Sequence, residues 1–72
     1  MPSDLLRWRR EARAIDYALW DRLAAMVGTS PGYLNLIAYG YRSPSPRRAK
    51  KIEDATRQIR GVKPVKKESL VF

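Results

Sequence analysis

Residues 20–39 read WDRLAAMVGTSPGYLNLIAY, two short helical patterns that meet at a glycine. Leu19, Trp20, Leu23, Ala24 and Val27 recur at the spacing of one helix face, which predicts a helix over about 17–27 with Asp16 as its cap. Gly28 ends that pattern, as glycine does where a chain must turn into a left-handed conformation. Ser30 and Pro31 then start the next helix, a hydroxyl cap followed by proline at the first helical position. Leu34, Ile37 and Ala38 point inward along it, and Gly40 stops it after about Tyr39. Ala24 is small enough for the second helix to cross closely. Leu34 and Ile37 lock that helix against the first and against Val27. The pair is predicted to stand at a steep angle, with the second helix free to enter a DNA major groove.

Outward from this pair lie two more helical patterns. Asp4 to Ala14 carries Leu5, Trp8, Ala12 and Ile15 on one face, with Ser3 as the candidate N-cap and Arg7, Arg9, Arg10 and Arg13 on the remainder. After a loop over residues 41–44, Ser45 and Pro46 repeat the cap-plus-proline signal. The last helix places Ala49, Ile52, Ala55, Thr56 and Ile59 at helical spacing, and Gly61 stops it. Residues 62–72 change character. Val62 to Lys66 alternate weakly and read as a short edge strand, while Lys67 to Leu70 read as a single turn. The apolar Leu70, Val71 and Phe72 are expected to dock on the domain or on a partner. The predicted fold is all-α: a compact four-helix domain over residues 1–61, then a tail over 62–72 that is a candidate dimerisation segment.

Composition narrows the function. Seventy-two residues make one domain, and a chain this short buries only about 60% of its unfolded surface. Cysteine and histidine are both absent. No disulfide, no Cys/His zinc site and no Ser-His-Asp or Cys-His centre can be built. The seven acidic residues are scattered rather than paired. The expectation is therefore a protein that is not an enzyme, with no cofactor, no metal and no small-molecule substrate. No apolar run approaches the ~18 residues of a membrane span, and the amino end lacks a signal-peptide core. A cytoplasmic protein without a membrane partner is expected.

Fifteen Lys and Arg against seven Asp and Glu give a net charge of +8, which suits a polyanion. The charge is uneven: +1 over residues 1–28, +1 over 29–45 and +6 over 46–72. Backbone attraction is thus assigned to the last helix and tail, and base choice to a few uncharged groups.

Ala24, Gly28, Leu34 and Ile37 together resemble the helix-turn-helix repressors of the lambda repressor and Cro type. The following GYRSPSPRRAKKIEDAT is similar to that family's next loop and helix, and the KKESL of the tail resembles small Cro-like phage and bacterial regulators. The resemblance spans roughly Leu5 to Ile59. It implies a repressor that binds double-stranded operator DNA as a homodimer. It places Thr29, Ser30, Pro31, Gly32, Asn35 and Leu36 against base edges. Asn35 is the best direct reader, since an amide pairs with adenine in two bonds. Ser30 and Thr29 have a competing role as the helix cap, and the competing reading of Asn35, which the motif geometry disfavours, is an exposed polar residue with no contact. Pro31 and Gly32 depart from the long polar readers common in the family. Gly32 permits close backbone approach, Leu36 suits a thymine methyl, and DNA shape then supplies part of the selectivity. Tyr33, Tyr39, Tyr41, Arg42, Arg47 and Arg48 are the candidate phosphate contacts, although Tyr33 and Tyr39 read equally as partly buried core. The alternative function is a protein-interaction module, such as an antitoxin-like partner protein. Sequence-blind nucleic-acid coating is a third reading, and it calls for exposed rings as stacking platforms.

Overall fold

The computed structural model describes residues 4–70. Four helices follow in order: α1 (Asp4–Ile15), α2 (Ala18–Val27), α3 (Pro31–Ala38) and α4 (Pro46–Gln58). A 3-10 turn at Lys67–Ser69 closes the described chain. The tail takes the turn and not the edge strand, and no strand is present among the described residues. Ser3, the expected cap of α1, lies outside the described residues, as do Val71 and Phe72.

The local signals act as expected. Ser30 Oγ accepts the Tyr33 N–H at 3.1 Å, and Ser45 Oγ accepts the Arg48 N–H at 3.2 Å. Each satisfies a donor that the first helical turn leaves without a partner. Helix α2 begins at Ala18, one residue later than its apolar spacing suggested, because the Asp16 carboxylate accepts the Ala18 N–H at 2.9 Å and holds the turn before it. At its far end Gly28 adopts φ +81°. The Thr29 N–H there reaches back to the Ala24 carbonyl at 2.9 Å. This closure uses a conformation that a Cβ disfavours, and it ends α2 within two residues.

The core gathers the inner faces of all four helices. Leu5, Trp8 and Ala12 of α1 meet Trp20, Leu23, Ala24 and Val27 of α2, then Leu34, Ile37 and Ala38 of α3 and Ala49, Ile52 and Ala55 of α4. Fully burying one such leucine contributes about 1.5–3 kcal/mol relative to exposure. The two tryptophans pack together, their ring centroids 6.2 Å apart. Ile15 is a correction: it shares the spacing of Leu5 and Trp8 but is 59% exposed. It is the last residue of α1, where the chain turns toward α2, and a Cβ added at Gly61 would lie 3.6 Å from its Cδ1.

The tail docks on its own domain through Val62, Val65 and Leu70, all buried. Three polar anchors hold it. Arg7 pairs with Asp4 at 2.8 Å and with Glu11 at 3.3 Å, and also donates to the carbonyls of Lys63 and Pro64 at 2.9 and 3.3 Å. The buried Thr56 hydroxyl donates to the Glu53 carbonyl at 2.8 Å and accepts the Val65 N–H at 3.1 Å. Glu53 Oε2 accepts the Lys67 N–H at 3.0 Å. That hydrogen bond, helped by the positive charges of Arg57, Lys67 and Lys50, holds the Glu53 carboxyl below its ordinary value against the opposing effect of burial.

Candidate nucleic-acid interface

Helical periodicity divides α3 into a buried stripe and an outward strip. Leu34, Ile37 and Ala38 face the core. At 100° per residue the opposite side carries Gly32 and Leu36, and Tyr39 follows at the C-cap. Gly32 is exposed, Leu36 is 38% exposed and Tyr39 is 53% exposed. An exposed leucine beside an exposed glycine is a poor solvent face but a suitable one for base edges and thymine methyls.

Two half-buried residues flank the strip. Tyr33 turns toward α4, where the Arg48 guanidinium lies over its ring at 5.3 Å. Asn35 turns the other way, toward α2, and its Oδ1 accepts the Trp20 indole N–H at 3.0 Å. An indole only donates, so the amide oxygen is the atom that faces it. Asn35 therefore has a tertiary role in addition to the reading role expected from its place on α3. Sequence inspection had no means of pairing it with Trp20.

The other expected contacts separate into groups. Thr29 and Pro31 are half-buried at the start of α3, and the Ser30 hydroxyl is engaged in capping. The backbone N–H groups of Tyr41 and Arg42 both donate to the Leu36 carbonyl, at 2.8 and 3.2 Å. This ties the loop to the end of α3. The Tyr41 side chain is 78% exposed, and neither it nor Arg42 makes a side-chain hydrogen bond or ion pair among the described residues. Arg47 and Arg48 are adjacent in sequence but diverge. Arg48 joins Tyr33 beside α3, whereas Arg47 lines a hollow of about 580 Å³ with Lys50, Lys51 and Lys67 on the tail side of α4.

Sequence inspection missed Arg9 and Arg13. The Arg9 guanidinium lies 5.7 Å from the Trp20 ring centroid and 5.9 Å from that of Tyr39, and its Nη1 donates to the Tyr39 hydroxyl at 3.5 Å. Arg13 lies over Tyr17 at 4.5 Å. The available signal was their separation of four residues, which puts them on one flank of α1. Nothing local showed that this flank faces α3.

A family profile described as helix-turn-helix matches residues 6–59. The chain belongs to this family, of the lambda repressor and Cro type. No curated protein and no solved structure matches it. This helix-turn-helix protein is a DNA-binding transcription regulator, and its family is regulatory rather than enzymatic. The matched span runs from α1 to the end of α4 and so includes the whole α2–α3 unit. Among the described residues no group of His, Cys, Asp or Glu is arranged to hold a metal, and no helix is long and apolar enough to cross a membrane.

Proposed function

We propose that the protein is a repressor that binds operator DNA as a homodimer, laying the outward strip of α3 in the major groove. The observation that carries this reading is the strip itself. Gly32, Leu36 and Tyr39 remain uncovered on a helix whose other side is locked into the core. Thr29, Ser30, Pro31, Gly32, Asn35 and Leu36 contact bases, with few polar readers among them, so groove shape adds selectivity. Tyr33, Tyr39, Tyr41, Arg42 and Arg48 hold phosphates around α3, and Arg47 holds phosphate further along the backbone, on the tail side of α4. One module makes too few base contacts for tight specific binding. Two copies would read half-sites about 34 Å apart and block polymerase at a promoter in the cytoplasm of a bacterium or infected host. The dimer contact is assigned to the tail, residues 62–72, in which Val62, Val65 and Leu70 are taken by the chain's own core and the residues between them are exposed.

Selection of preferred duplexes from a random pool tests this reading. The selected site should hold two half-sites one helical turn apart and bind at least about a thousandfold more tightly than random duplex. Equal affinity for selected and random duplex at every salt concentration would overturn it, and a monomer bound to a single half-site would overturn the dimer.

A further inference from the structure

Helix α3 has a cationic wall on each side. One is Arg48 stacked on Tyr33. The other comes from α1: Arg9 packed against Trp20 and Tyr39, and Arg13 one turn further on against Tyr17. A groove of about 490 Å³ runs along this second wall, lined by Arg9, Arg13, Trp20, Asp21, Pro31 and Asn35. Pro31 and Asn35 belong to α3, so the groove is continuous with the proposed base-reading surface.

The groove is rich in donors and poor in acceptors. Among the described residues neither Arg9 nor Arg13 has an ion-pair partner, and the buried Arg9 Nε has no hydrogen-bond partner. Arg7 on the same helix shows the contrast, since its guanidinium is fully used by Asp4, Glu11 and the tail carbonyls. Asn35 has committed its oxygen to Trp20, which leaves two N–H donors on its nitrogen. Asp21 supplies the one carboxylate of the lining, against two guanidinium groups. Stacking on rings fixes the arginine planes without neutralising them.

We propose that Arg9 and Arg13 bind backbone phosphate on the DNA strand opposite the one held by Arg48. The proposal rests on the reading of α3 as the groove-inserted helix. A major groove about 12 Å wide lies between two phosphate backbones, and a helix with its side chains is about 10–12 Å across. A helix seated there meets a backbone on both flanks, and this chain has an arginine wall on both. Arg9 and Arg13 contribute register and salt-dependent affinity, whereas Gly32 and Leu36 contribute base choice.

The test combines salt titration with ethylation interference on the selected duplex, using the full chain. Arg13→Gln and Arg9→Gln are measured singly and together against the wild type. Thermal melting confirms that each variant is folded. Arg13→Gln should lower the slope of log affinity against log salt by about 0.9, the value of one phosphate contact, on selected and random duplex alike. The double variant should lower it about twice as far. Ethylation of wild-type complexes should interfere on both strands flanking each half-site, and Arg13→Gln should lose the interference on one strand. A folded Arg13→Gln protein with an unchanged slope, or interference confined to a single strand in the wild type, overturns the second wall alone. A wild type with no preference for the selected duplex overturns the operator reading instead.

Discussion

Replacing Gly32 with alanine should move stability and DNA affinity in opposite directions. Gly32 is the second residue of α3 and is absent from the glycines with positive φ. An added Cβ would meet only the Ser30 Oγ, at 4.0 Å, which is ordinary contact. Among the described residues nothing requires glycine there. Alanine should therefore stabilise the helix by about 0.5–1 kcal/mol, with the lower figure more apt in a first turn. A domain of this size gains about 4–8 °C per kcal/mol, so Tm should rise by roughly 2–8 °C. On DNA the same methyl projects from the outward strip, where the bare backbone is proposed to approach the bases. Forcing a methyl into a packed contact costs about 1–3 kcal/mol, or roughly 5- to 150-fold in affinity. Thermal melting and fluorescence anisotropy on the selected duplex measure both effects. A stabilised variant that binds as tightly as wild type would refute close approach at Gly32. A lowered Tm would refute the claim that no internal contact needs the glycine.

Two further predictions concern the tail. Thr56→Val leaves the buried Val65 N–H without its acceptor and should cost about 1–3 kcal/mol in urea unfolding, while Thr56→Ser keeps the hydroxyl and should cost less; equal losses would show that the hydrogen bond contributes nothing. Glu53 is held below its ordinary pKa, first by the Lys67 N–H, so its contribution is present above the unfolded value and disappears as pH falls through the folded one. Tm measured from neutral pH into acid should therefore fall less steeply for Glu53→Gln than for wild type, and parallel curves would show that Glu53 is not responsible.

The helices were legible because their signals are local. Ser30 with Pro31, and Ser45 with Pro46, each satisfy a donor within the next turn. Gly28 meets a backbone demand at its own position, and its φ of +81° is what the turn requires. Buried positions followed from the 3.6-residue period wherever another element covers that face. The same period failed at Ile15, since periodicity records which way a side chain points and not whether a neighbour reaches it. It also left the tail open between strand and turn, because the choice depends on Thr56 and Glu53 capturing two tail N–H groups.

The candidate site was legible in outline only. Its central strip follows from the order of residues along α3, while its two walls come from other helices. By itself the amino-acid sequence determined the four helices, the glycine-hinged pair and the face that α3 turns outward, since each depends on contacts within about one turn of chain. Only the tertiary structure decided that the Asn35 oxygen goes to Trp20, that Arg7 is used by the tail 56 residues away, and that Arg9 stands beside Tyr39, 30 residues away. Those partners meet only where helices cross, and the spacing within a single helix carries no record of the crossing.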